Sequence, residues 1–115
     1  MGRPEWCLNE WYWRHVCDQI AKCADDLIAH RLGVIAASRL LFPLAREVRA
    51  AGDPDFDLFV LIYSESDALP VGAERAHWSA SALRREDEKI ELFEGRWRDA
   101  AHAAAKNLRD KYAVV

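Results

Sequence analysis

A chain of 115 residues is long enough for one hydrophobic core and too short for two. Apolar residues make up 51% and charged ones 30%, a globular and not a disordered composition, and no stretch approaches the ~20 apolar residues that cross a bilayer. The formal charge of −3 conceals an asymmetry: six acids and no base lie between Asp53 and Glu74, which disfavours a nucleic-acid surface there.

Five glycines and four prolines are few for a turn-rich β protein, and residues 100–105 are dominated by alanine. The expected fold is all-α: four or five helices in a compact bundle with a long C-terminal helix. One domain over residues 1–115 is expected, with residues 1–8 as a candidate flexible arm. Cys7, Cys17 and Cys23 are odd in number and lack C-x-x-C spacing, so they read as reduced, structural thiols. The N-terminus has no apolar signal region and a poor myristoylation context, which makes a cytoplasmic location the expectation.

Asn9 reads as the cap of a first helix with Glu10 in its first turn, and Trp13, Val16, Ile20, Leu27 and Ile28 recur at helical steps. Asp25-Asp26 could interrupt it, and Gly33 is the expected stop or hinge. A second helix from about Val34 to Ala50 contains Pro43, where a kink or an early end is expected, and Ala51-Gly52 closes it. Asp53-Pro54 reads as a cap with proline in the first turn, followed by Phe56, Phe59, Val60 and Tyr63. Residues 58–63 are compatible with a strand, but no partner strand exists, so helix is preferred.

Ala73–Trp78 forms at most a short helical turn, and Ser79 or Ser81 caps the longest helix, from about Ala80 to Tyr112. Its apolar stripe runs Leu83, Asp87, Ile90, Phe93 or Glu94, Trp97, Ala101, Ala104, Leu108 and Tyr112, with Arg84/Glu88 and Glu94/Arg98 spaced for ion pairing. This long helix is expected to pack against the first two.

Asp87 stands inside that stripe, where a carboxylate needs a cation, so a structural ion pair is expected. Arg39, Arg75 and His77 are available, and the chosen set is Asp67, Arg75 and Asp87. Glu65, Asp67, His77 and Asp87 could alternatively bind a divalent metal, although they match no metal-ligand spacing. No metal or cofactor is assigned. Ser64 and Ser66 lack a G-x-S-x-G context, and neither Cys17 with His15 or His30 nor a glycine-rich phosphate loop supports catalysis. An enzyme is therefore disfavoured. Trp6, Trp11, Tyr12 and Trp13 cannot all face inward on a helix, leaving aromatic surface to be covered by the first residues or offered to a partner.

From Gly33 to Tyr112 the chain resembles a group of small bacterial helical proteins. The residues that carry the resemblance are Asp55-Phe56, Ser64-Glu65-Ser66-Asp67, Leu69-Pro70-Val71-Gly72, Arg75 and Trp78, with Leu83, Asp87 and Ile90 beyond. Pro43 and the tryptophan-rich N-terminus depart from that pattern. The resemblance implies at most an immunity-type binding role beside a bacterial toxin, and no catalytic residue.

The functional expectation is a non-enzymatic protein that presents Asp53, Asp55, Asp57, Glu65, Asp67 and Glu74 to a basic protein, with Trp11 and Trp13 as further partner contacts. The alternatives are the metal-binding reading above and a homodimer through the aromatic N-terminus.

Overall fold

In the computed structural model, which describes residues 2–113, four α-helices and one short 3₁₀ helix follow each other without a strand among the described residues. The first, α1, runs Glu10–Ile28; Asn9 Oδ1 accepts the Tyr12 amide at 3.0 Å and satisfies one of the open N–H groups of its first turn. Asp25 and Asp26 do not interrupt it. Asp26 lies inside the helix and pairs with Lys22 at 3.1 Å and Arg31 at 2.9 Å.

Helix α1 ends five residues before Gly33. His30 adopts φ 60°, its amide donates to the Leu27 carbonyl at 3.1 Å, and the Arg31 amide donates to Asp26 at 2.8 Å. These two bonds make a Schellman motif, whose left-handed position glycine usually fills. The second helix, α2 (Val34–Glu47), closes the same way: Arg49 adopts φ 52° and donates to Arg46, while the Ala50 amide reaches the Ala45 carbonyl at 3.0 Å. Gly33 and Gly52, expected as the stops, are instead the N-cap of α2 and a turn residue at φ 88°. Pro43 does not end α2 either. The helix runs through it to Glu47, with proline offering no N–H to the Arg39 carbonyl.

Asp53 caps α3 (Pro54–Glu65), accepting the Asp55 amide at 2.9 Å and the Phe56 amide at 3.4 Å, with Pro54 in the first turn. Residues 58–63 are thus helical. A loop and the 3₁₀ helix Gly72–His77 lead to α4 (Ala80–Tyr112), capped by Ser79, whose hydroxyl accepts the Ala82 amide at 3.2 Å.

The core joins Val16, Ile20 and Leu27 of α1, Leu41 of α2, Phe56, Phe59 and Ile62 of α3, and Leu108 and Tyr112 of α4. Burying each large apolar side chain contributes about 1.5–3 kcal/mol. Helix α4 packs chiefly on α1, then on α3, and only lightly on α2, which corrects the expected docking against the first two helices. Ala101, Ala104 and Ala105 face that contact and permit close approach.

The apolar stripe of α4 is fully buried only from Ala101 onward. Thirty-three residues at 1.5 Å each span about 50 Å, matching the 51 Å long axis of the molecule, against 27 and 24 Å across. Ahead of Phe93 and Glu94, α4 carries no buried side chain, and Leu92 is 74% exposed.

A non-glycine residue in the left-handed region carries a conformational cost of roughly 1–2 kcal/mol. His30→Gly should therefore raise stability by about 1 kcal/mol in urea unfolding. Arg49→Gly should gain less, because the Arg49 guanidinium lies 4.3 Å over the Trp6 ring and that contact is lost.

Candidate functional site

Asp53 to Glu74, the acidic segment, leaves α3 through a polar loop, and one cation organises that loop. Arg39 on α2 donates to the Leu69 carbonyl at 2.7 Å, Ser66 at 3.4 Å and Val71 at 3.3 Å, and to Glu74 at 2.5 Å. Glu74 in turn accepts the Val71 amide at 2.8 Å. That amide, and then Arg39, hold the Glu74 carboxyl below its ordinary range. Ser66 is fully buried and donates to the Ile62 carbonyl at 2.7 Å, so it terminates α3 and is no nucleophile.

Arg75 and Asp87 form a bidentate pair at 2.6 and 3.0 Å, joining the 3₁₀ helix to α4. The pair corrects two expectations. Asp67 takes no part in it, and the Asp87 side chain is 50% exposed and does not face the core. Arg75 holds the Asp87 carboxyl below its usual range. The loop is fastened chiefly by Arg39, and Arg75, as expected, adds a bond to the Pro70 carbonyl at 3.3 Å while tying the 3₁₀ helix to α4.

The acids divide into two sets. Asp53 caps α3 and pairs with Lys111 at 2.5 Å, with its carboxylate almost out of solvent. Burial pushes its pKa up, and the Lys111 bond with the Asp55 and Phe56 amides outweighs that, leaving it lowered. Asp55 accepts from the Asn107 amide at 3.1 Å, and Glu74 belongs to Arg39. These three are structural. Asp57, Glu65 and Asp67 are exposed and have no side-chain partner among the described residues. Asp57, Leu61 and Glu65 fall four residues apart on one face of α3, and Leu61 is itself exposed.

At the N-terminus Trp13 is buried at 4%, which removes it from any partner surface. Trp6 packs edge-on against it at 5.8 Å, and Arg3 donates to the Cys7 carbonyl at 2.6 Å, so the first residues cover the ring. Trp11 remains 72% exposed, stacked on His15 at 5.3 Å. Tyr12 donates to Glu47, a bond that raises the Tyr12 pKa.

Glu94 is the residue that sequence spacing misassigned. Its carboxylate does not pair with Arg98; it accepts the Val34 amide at 2.6 Å and the Ile35 amide at 2.8 Å, capping α2 from sixty residues away. Gly33 lacks a side-chain cap, and a Cβ there would stand 3.0 Å from a Glu94 oxygen. No local signal announces a cap supplied by a distant helix. A glycine directly before a helix with no acid in its first turn was the only trace.

No group of three or more His, Cys, Asp or Glu side chains among the described residues is arranged to hold a metal ion. Glu65, Asp67, His77 and Asp87 are not brought together as such a set. Cys7, Cys17 and Cys23 are free and buried; burial raises the Cys17 pKa and pushes Cys23 up to about 12, so neither is a poised nucleophile. No helix among the described residues is long and apolar enough to cross a membrane. The chain matches no family model, no curated protein and no solved structure.

Removing the Glu94 cap strips two charge-assisted bonds from a partly buried helix start, so Glu94→Ala should cost about 2 kcal/mol in chemical unfolding, more than Asp87→Ala. Glu74, Asp53 and Asp87 are all held low in the fold, so on acidification the unfolded chain takes up protons first. Stability should thus be constant above the ordinary carboxylate range and fall progressively below about pH 4. Arg39→Gln should flatten that decline in an acid titration followed by circular dichroism.

Proposed function

We propose that this domain is a non-enzymatic binding protein that engages a basic protein through the outer face of α3. The observation that carries the reading is the division of the acids. Asp53, Asp55 and Glu74 are engaged in caps, hydrogen bonds and ion pairs, whereas Asp57, Glu65 and Asp67 are exposed and unpaired among the described residues, with Asp57 and Glu65 flanking the apolar Leu61 and Asp67 just beyond the end of α3. Unneutralised acids of one sign steer a cationic surface into encounter, and a central apolar side chain supplies contact once water is displaced. Occlusion of the partner's own site is then the mechanism, in line with the immunity-type role that the resemblance implies. A bacterial, cytoplasmic setting belongs to the same reading.

A second reading, self-association through the N-terminal aromatics, draws support from Trp11 at 72% and Leu8 at 90% exposure. Sedimentation separates the two, since Trp11→Ala would then dissociate a dimer.

Co-expression with the products of adjacent genes, followed by calorimetry, tests the leading reading. The joint variant Asp57→Lys, Glu65→Lys, Asp67→Lys should keep its helical spectrum and weaken partner binding by about tenfold or more. Wild-type affinity should also decline with added salt. An unaltered affinity in the variant would dismiss the α3 face.

A further inference from the structure

Between the turn that joins α1 to α2 and the middle of α4 lies a cavity of about 200 Å³, away from the acidic face. Its polar lining comes from His30, Glu94, Arg98 and His102. His30 and Arg98 are exposed, so the cavity opens to solvent, and it is large enough for one tetrahedral anion with part of its hydration shell.

The charges of these groups select the sign of the ligand. Glu94 has both oxygens accepting from the α2 amides, so the one acid in the lining is engaged by the positive end of a helix. Arg98 is thereby left with no acid partner among the described residues. His30 and His102 face each other with ring centroids 4.9 Å apart. Along α4 the further charges near His102 are Lys106 and a single acid, Asp99; from the turn, Arg31 is committed to Asp26, and α2 contributes only Gly33 and Val34. Burial first, then the cationic neighbours His30, Arg98 and Lys106, hold the His102 pKa down. A metal cation would meet that same repulsion, and only two imidazoles would greet it. An anion relieves it.

His30 reaches the cavity from the left-handed position of the α1 Schellman motif, where glycine would fit without strain. A strained residue at a cavity lip points to a use for its side chain.

We propose that this cavity binds a phosphate-sized oxyanion, held by the Arg98 guanidinium with the imidazoles of His30 and His102 as additional donors. The planar guanidinium offers paired N–H groups to two oxygens of the anion, and each imidazolium adds one N–H. An anion beside His102 offsets the burial and the neighbouring charges that hold its pKa down, so binding at His102 takes up a proton and weakens as the pH rises. The α1–α2 turn and α4 would close on the same ion.

Sulfate titration of the full chain, read from imidazole and guanidinium NMR shifts, tests the site. Sulfate stays dianionic across the range, so any pH dependence belongs to the protein. Saturable shifts at His30, His102 and Arg98 are expected, with affinity about tenfold higher near pH 5.5 than near pH 8. Inorganic phosphate should compete for the same site. Arg98→Gln should weaken binding by about tenfold or more, while Arg96→Gln, on an exposed neighbouring turn, should leave it unchanged. His30→Gly supplies an independent check, since it should bind the anion less well despite folding more stably. The site is refuted by the absence of a saturable response in the wild type, by equal affinity in Arg98→Gln, or by shifts that answer to Zn²⁺ alone.

Discussion

A carboxylate on α4 holds the start of α2. Glu94 supplies the acceptors that Gly33 cannot, and with that contact the turn after α1, the onset of α2 and the middle of α4 become one unit. A side chain at Gly33 would crowd that contact, because a Cβ there would stand 3.0 Å from a Glu94 oxygen and the carboxylate would have to give way. It also dictates the chemistry next door: with Glu94 occupied, Arg98 stands unneutralised beside two histidines. Placement of one acid thus sets a helix boundary and leaves Arg98 with no acid partner among the described residues.

Arg39 plays the corresponding part at the far side of α2. Its guanidinium gathers three carbonyls and a carboxylate from the loop after α3, so a polar segment rich in turn residues has a defined course. Both devices use long-range, charge-assisted hydrogen bonds to satisfy backbone groups that no local element can reach. Of the six acids in the segment, Asp53, Asp55 and Glu74 are engaged structurally, while Asp57, Glu65 and Asp67 have no side-chain partner among the described residues.

The helices themselves were legible. Periodic apolar residues located all four, and Asn9, Asp53-Pro54 and Ser79 marked three of their starts through ordinary cap chemistry. The end of α4 at Tyr112 was legible too, but those of α1 and α2 were not, because His30 and Arg49 occupy positions where the expected signal is glycine. Asp87 was misread for a related reason. Periodicity assigns a residue to a face, but whether another helix covers that face is a property of the whole fold. Glu94 and Arg39 carry no local signature at all; their partners lie sixty and about thirty residues away. For the candidate site, the acidic run was visible in the sequence, but not which of its members were already engaged.

Helix α4 has two thermodynamic regimes along one unbroken backbone. From Ala101 its amides lie under α1 and α3, and opening them requires disruption of the core. Toward Ala80 the same hydrogen-bond ladder rests on the Ser79 cap and the Arg75 clasp, with no fully buried side chain beneath it. Fraying can therefore travel inward from residue 80 and halt where Phe93 and Glu94 engage the rest of the fold, without the domain unfolding. Amide exchange should be graded along a single rod, fast at its free end and as slow as global unfolding at its root.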